Sequence, residues 1–362
     1  MPSLRFSLVT ISIAFVVFMS ASTVFLSLNM AASVVVGLWA LGGTTLVALS
    51  VTGRDWRSAT GVTVFRWPDV AMGALLSLGN ALSFSDWLGQ LSVKLMPQLI
   101  LDVFDTKKLL ATAITNPLEQ AAMLVAVVVL APLAEELLFR GVFVRGLNER
   151  LGIAATAVVS GFIFSAYHLD PVGFLPRFEI GIVLALVVWK SGSLWPVIAA
   201  HAANNALATA LMVANVQDDD VPWWVRLACL VVFFASVAWV WLRPTLPPPE
   251  TRVVPPVPFL RAAAPFVAPL VASAVLIAVF DARGARLTRL DLATPILGKG
   301  DEAEEAALLV LRAEARRGEA DCDDYGTRRR ALSQARFKAL IESWLPKKLR
   351  RKNAPQAAPT SP

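Results

Sequence analysis

The sequence predicts an all-α fold: a polytopic transmembrane helical bundle of about eight spans, with a candidate ninth span and a small helical C-terminal tail. Three observations predict it. Hydrophobic residues make up 56% of the chain and charged residues only 17%, against about a quarter charged in an ordinary soluble domain. Apolar runs of about 20 residues recur along the chain, each long enough to cross the hydrocarbon core as a helix. Basic and acidic loops alternate between the runs, as they do when a chain weaves through a bilayer. Helix is the expected state of each span, because lipid cannot satisfy exposed backbone N–H and C=O groups.

The expected spans are 6–28, 30–51, 69–92, 119–144, 152–169, 173–190, 194–215 and 222–242. The first follows a single Arg5 and is too long for a signal-peptide core, so it reads as a retained span. Arg54, Arg57 and Arg66 follow the second span. Arg145 and Arg150 follow the fourth, Lys190 the sixth, and Arg243 and Arg252 the eighth. The opposite loops carry Asp170 and the run Asp218, Asp219, Asp220. The excess of positive charge on cytoplasmic loops then places the N-terminus in the cytoplasm. The alanine-, proline- and arginine-rich composition reads as bacterial, so the expected location is the inner membrane. The loop with Lys107 and Lys108 departs from the alternation and is partly balanced by Asp102 and Asp105.

These spans form a membrane domain over 1–243. The mixed region 93–118 is expected at the interface. Residues 244–258 contain seven prolines, Pro244, Pro247, Pro248, Pro249, Pro255, Pro256 and Pro258, and read as an extended linker. The ninth run, 259–280, contains Arg261, Pro265 and Pro269 and is a candidate ninth span that would place the tail outside; a re-entrant or interfacial segment, with the tail in the cytoplasm, is the alternative. The polar tail, 281–362, has helical composition over 301–318 and 326–345; its end, from Lys347, is basic, then Pro/Ala-rich, and is expected to be disordered. Cys229 lies in a span and Cys322 in the tail, so neither a disulfide framework nor a cysteine metal site can be built. The net charge of +6 gathers in loops and tail, which points to membrane lipid as a partner and not to nucleic acid. Nothing in the pattern sets an oligomeric state.

Ionisable groups at membrane depth are costly and mark function by default. The fourth span reads Ala-Pro-Leu-Ala-Glu-Glu-Leu-Leu-Phe-Arg over 131–140. Arg140 lies four residues after Glu136, so the two share a helix face and can pair. Glu135 is rotated about 100° away and has no cation on its own helix. A desolvated carboxylate is a stronger base, which suits the activation of water. The chain has only two histidines, His168 and His201, and both fall inside expected spans. Phe164 shares a face with His168, and Asn205 with His201, each four residues apart.

The set Glu135-Glu136-x-x-x-Arg140, Phe164-x-x-x-His168 and His201-x-x-x-Asn205, in that order and on separate spans, resembles the CPBP (or ABI) family of intramembrane proteases. That family includes CAAX prenyl endopeptidases and bacteriocin-processing or self-immunity proteins. The resemblance covers about 119–215. It implies an intramembrane peptidase in which Glu135 activates the attacking water and His168 positions it or transfers its proton. His201 and Asn205 would stabilise the oxyanion. Glu136, Arg140 and Phe164 would support the site. The implied substrate is a peptide or a membrane protein, such as the C-terminal sorting signal of an exported protein.

No cofactor is favoured. Glu135, His168 and His201 could instead hold a divalent ion such as zinc. However, the His-Glu-x-x-His signature is absent, and asparagine suits an oxyanion better than zinc. Two other functions compete: a non-catalytic immunity or scaffold protein of the same fold, and a proton-coupled transporter. The full motif set argues against the first, and the lack of matching Glu or His in the other half of the chain against the second.

Overall fold

The computed structural model describes residues 2–26, 29–104, 117–216, 220–247, 249–297 and 301–344. Asp105, Lys107 and Lys108, the pair Asp218 and Asp219, and the chain end from Lys347 lie outside the described residues. Helix is the dominant regular structure among those described, and one isolated bridge pairs Arg54 with Val253. Five stretches are long and apolar enough to cross a membrane: Leu4–Leu26, Met30–Val51, Glu119–Tyr167, Trp195–Val213 and Trp223–Leu242. The protein is a multi-pass helical membrane bundle.

The 49-residue stretch from Glu119 to Tyr167 contains the expected fourth and fifth spans. They fold back on one another at Gly152, whose φ of 70° and ψ of 167° break the helix. Glycine adopts such a φ without a Cβ penalty. The expected sixth span is helix Phe174–Ser191, which carries Arg177, Glu179 and Lys190. Each charge has a partner. Arg177 pairs with Asp170, Glu179 accepts from Asn80 Nδ2 at 2.8 Å, and Lys190 donates to Thr245 at 3.2 Å.

The expected third span, 69–92, is not one helix. It divides into Trp67–Ala81 and Phe84–Leu95. At the break the Ser83 hydroxyl donates to the Gly79 carbonyl, and Ser83 N–H turns to the Asn80 carbonyl at 3.1 Å. Such local serine bonds compete with the helical ladder.

The expected cytoplasmic loops gather at one end of the bundle. Leu4 N–H donates to Glu149 at 3.0 Å, Arg145 reaches the Gly192 carbonyl at 3.5 Å, and Leu246 N–H donates to Lys190 O at 3.0 Å. Arg54 and Val253 pair at the same end. The proline-rich segment is therefore packed onto the bundle.

Helix Phe259–Phe280 settles beside Met30–Val51 and runs antiparallel to it. Val257 N–H donates to Ser50 O at 3.0 Å near its start, and Asp281 at its end accepts from Asn29 at 3.2 Å. Both helices have 22 residues, about 33 Å at 1.5 Å per residue. Phe266 packs on Trp39, and a Cβ at Gly43 would meet that ring at 2.7 Å. The tail, with helices Ala282–Ala293, Glu302–Arg317 and Cys322–Trp344, thus leaves from the end opposite the basic loops. Its own small core is built on Leu287, Leu308, Ala315, Tyr325 and Leu332. Arg316 anchors it to the bundle through Glu119 at 2.6 Å and Asp281 at 2.9 Å.

Candidate active site

The helix that carries the paired glutamates is not regular. Helix Ala131–Glu136 is flanked by two wider π-helical segments, Ala126–Leu130 and Leu137–Phe143. Pro132 has no N–H, and its ring would collide with the carbonyl four residues earlier in a regular helix. The wider turn before it relieves that collision. It also leaves the Val127 carbonyl free to accept from Asn205 Nδ2 at 2.8 Å.

Glu136 and Arg140 form the expected pair, with side chains fully buried and Nη1 donating to Oε1 at 2.9 Å. Arg140 Nη2 donates to the Gly181 carbonyl at 3.3 Å, and the guanidinium lies 4.4 Å from the centre of the Phe164 ring. The same Glu136 Oε1 accepts from His201 Nδ1 at 2.8 Å. Glu136 thus links Arg140 to His201, a tie the sequence did not reveal.

Glu135 faces the other way, as the helical rotation requires. Its Oε2 lies 3.7 Å from His168 Nε2 and 4.0 Å from His201 Nε2. The side chains of Glu135 and His201 are nearly buried, at 12% and 11% exposure, while His168 is open to 27%. His168 Nδ1 lies 2.8 Å from the Phe164 carbonyl, which can only accept. His168 Nδ1 therefore carries a proton, and by the same logic so does His201 Nδ1 against a carboxylate. In the neutral rings both Nε2 atoms then present lone pairs towards Glu135. Phe164 braces the pair, its ring 5.0 Å from His168 and 5.9 Å from His201, both edge-on.

His168 sits where helix Val144–Tyr167 ends. Leu169 takes a left-handed φ of 52°, and Pro171 forbids continuation. Asp170 Oδ1 then accepts from Val172 N at 2.9 Å and Gly173 N at 3.3 Å, which closes the turn. The turn is held at depth: the next residue back, Tyr167, packs on Phe15, eleven residues into the first helix, about 16 Å along it. Irregular backbone at membrane depth is tolerated where it lines a cavity. An open cleft of ≈ 1100 Å³ lies there, walled by Val172, Gly173, Pro176, Trp87, Lys94 and Trp223 among others.

The structure thus brings together Glu135, His168 and His201, with Glu136, Arg140 and Phe164 around them. Asn205 lies on the His201 helix one turn further along, where its amide donates to the Val127 carbonyl at 2.8 Å. Sequence reasoning passed over Tyr167, whose ring lies 5.4 Å from that of Phe139, one turn from Glu135, and whose hydroxyl is buried without a hydrogen-bond partner among the described residues. A signal was available: the chain has only two tyrosines, among 19 phenylalanines and 11 tryptophans.

A tetrahedral zinc site separates its donors by about 3.4 Å, from ligand bonds near 2.0–2.1 Å. The separations of 3.7 and 4.0 Å are wider, and among the described residues no group of three His, Cys, Asp or Glu side chains is set to hold a metal ion. A water oxygen about 2.8 Å from each of the three atoms fits separations of 3.7 and 4.0 Å.

Residues 117–207 match the family described as type II CAAX prenyl endopeptidase Rce1-like. The matched segment holds every residue of the site. No curated protein and no solved structure gives a match.

Proposed function

The Rce1-like match supports membership of the CPBP family and a protease activity, and from that premise we propose that this chain is an intramembrane endopeptidase in which Glu135 is the general base. The observation that carries the reading is the convergence of Glu135 Oε2 with two histidine nitrogens whose partners fix their tautomers. A water held there gives a proton to Glu135 as its oxygen attacks a peptide carbonyl. His168, more open than its neighbours, helps to orient the water and relays the proton to the departing amine. Asn205 donates its second N–H to the oxyanion. His201 can donate from Nε2 only when both ring nitrogens carry protons, and Glu136 then faces the positive charge. No step requires a metal ion.

We propose that the substrate approaches by the cleft beside the His168 turn, walled by Val172 and Gly173, at the end of the bundle away from the basic loops. The positive-inside rule assigns those loops to the cytoplasm. The substrate is then a peptide, or the C-terminal region of a membrane or exported protein, presented from the outer face of a bacterial inner membrane. The test is proteomics of protein C-termini in membrane and secreted fractions, with the native chain against Glu135→Gln. New C-termini that depend on Glu135 are expected, and a synthetic peptide spanning the cut should be cleaved by purified protein after strict chelation. Identical C-termini in the two strains would refute the proteolytic reading, and activity that returns only with stoichiometric zinc would refute the metal-free one.

A further inference from the structure

Tyr167 precedes His168 in the chain and has no part in the scheme above. Its ring is held on three sides, 4.8 Å from Phe15, 5.7 Å from Phe18 and 5.4 Å from Phe139. Phe139 is one turn beyond Glu135 on the same helical strip. A buried tyrosine hydroxyl ordinarily finds a hydrogen-bond partner. This one is buried and has none among the described residues. Such an orphan is destabilising, so phenylalanine would serve better if packing were the only role.

Tyr167 stands one residue before His168, with its ring against Phe139 one turn from Glu135, and Glu135 Oε2 is itself buried without a hydrogen bond among the described residues. The groups around the gap are rich in acceptors: a carboxylate oxygen and two imidazole lone pairs. A water there can give its two protons away, but nothing in the scheme above holds its oxygen.

We propose that Tyr167 is a catalytic residue whose hydroxyl donates a hydrogen bond to the attacking water and fixes its orientation between Glu135 and His168; this rests on the protease reading. The water directs one proton to Glu135 Oε2 and the other to His168 Nε2. One oxygen lone pair accepts from Tyr167, which leaves the second for the carbonyl carbon. As the new C–O bond forms, the first proton passes to Glu135 and the C=O π pair moves onto the carbonyl oxygen. When that oxygen re-forms its double bond, the C–N bond breaks and a proton is delivered to the amine. Tyr167 keeps its own proton throughout.

The test compares native protein, Tyr167→Phe and Glu135→Gln on the synthetic peptide that spans the mapped cut. Tyr167→Phe keeps the packed ring and removes only the hydroxyl. Its kcat should fall about 100-fold, the usual effect of a misplaced reacting atom, with KM unchanged. Its unfolding midpoint should stay level or rise. Full turnover in Tyr167→Phe, with Glu135→Gln inactive, would overturn this inference and leave the protease reading standing. A lowered midpoint with kcat and KM lost together would also overturn it, by showing a structural bond. A native protein that cleaves nothing would refute the protease reading and this inference with it.

Discussion

Arg140→Met tests the buried ion network most sharply. In the native protein the Arg140 and Glu136 side chains have no exposure, and they are joined at 2.9 Å. Removing the arginine leaves a carboxylate buried in a low-dielectric interior, with His201 as its one remaining partner among the described residues. Breaking a buried pair from one side costs about 3–5 kcal/mol. The bond to Gly181 and the Phe164 ring contact are lost as well, but they fall within that range and are not added to it. The double variant Glu136→Gln, Arg140→Met removes both charges. The introduced amide oxygen can still accept from His201 Nδ1, so the remaining loss is about 1–2 kcal/mol for one or two hydrogen bonds. Equilibrium unfolding in mixed micelles with increasing SDS reads both. The single variant is expected to be less stable than the double by about 2–3 kcal/mol, roughly the uncompensated charge. A double variant as unstable as the single, or a single variant within about 1 kcal/mol of native, would refute the claim that Arg140 neutralises Glu136.

Asn205→Leu removes the amide proposed to meet the oxyanion; kcat should drop about 10²–10³-fold with little change in KM on the mapped peptide, and an unchanged kcat would remove Asn205 from that role. Gly161→Ala should lower both stability and turnover, since its Cβ would meet Phe178 O at 2.8 Å and Ile182 N at 3.0 Å; helix Phe174–Ser191 would then shift and carry Gly181 O away from Arg140. Arg316→Ala should release the tail at a cost of about 2–4 kcal/mol at this partly buried network, read as faster proteolytic loss of residues beyond 281, and an unchanged cleavage rate would show that the anchor is not what holds it. Protease added outside intact spheroplasts should cut the tail and spare the 53–66 loop, and the reverse pattern would invert the topology.

Hydropathy revealed most of the bundle because lipid leaves the chain few options: an apolar run of that length must be a helix. It failed where local polar groups decide. Nothing in 69–92 announces that Ser83 will turn its hydroxyl back on Gly79 and end a helix inside an apolar run. Helix Phe174–Ser191 could be placed, but its charges are intelligible only with Asp170, Asn80 and Thr245 in place, and two of these are far off in sequence. The site followed a similar division. Glu136 with Arg140 could be read because i, i+4 pairing is local. Glu136 with His201 could not, since 65 residues separate them. The π turns were invisible as well, because the Val127 carbonyl matters only once Asn205 arrives against it.

In the proposed mechanism the adjacent glutamates divide two incompatible duties within one helix turn. A base must be reachable by water and must not be neutralised by a fixed cation, whereas a carboxylate that orients a histidine must be dry and compensated. Residues side by side on a helix point about 100° apart, so each can meet a different environment. Glu135 is left 12% exposed between two histidine lone pairs, while Glu136 is sealed against Arg140. Pro132 and the widened turns on either side set this orientation in the backbone itself. Exchange of the two roles is therefore barred by geometry and not by chemistry. An aspartate at 136 would draw the carboxylate back by one methylene, so that it could not keep both the 2.9 Å contact to Arg140 and the 2.8 Å contact to His201. In the proposed mechanism the position of His201, and with it the width of the gap between Glu135 and the two histidines, depends on a carboxylate that does not touch the substrate.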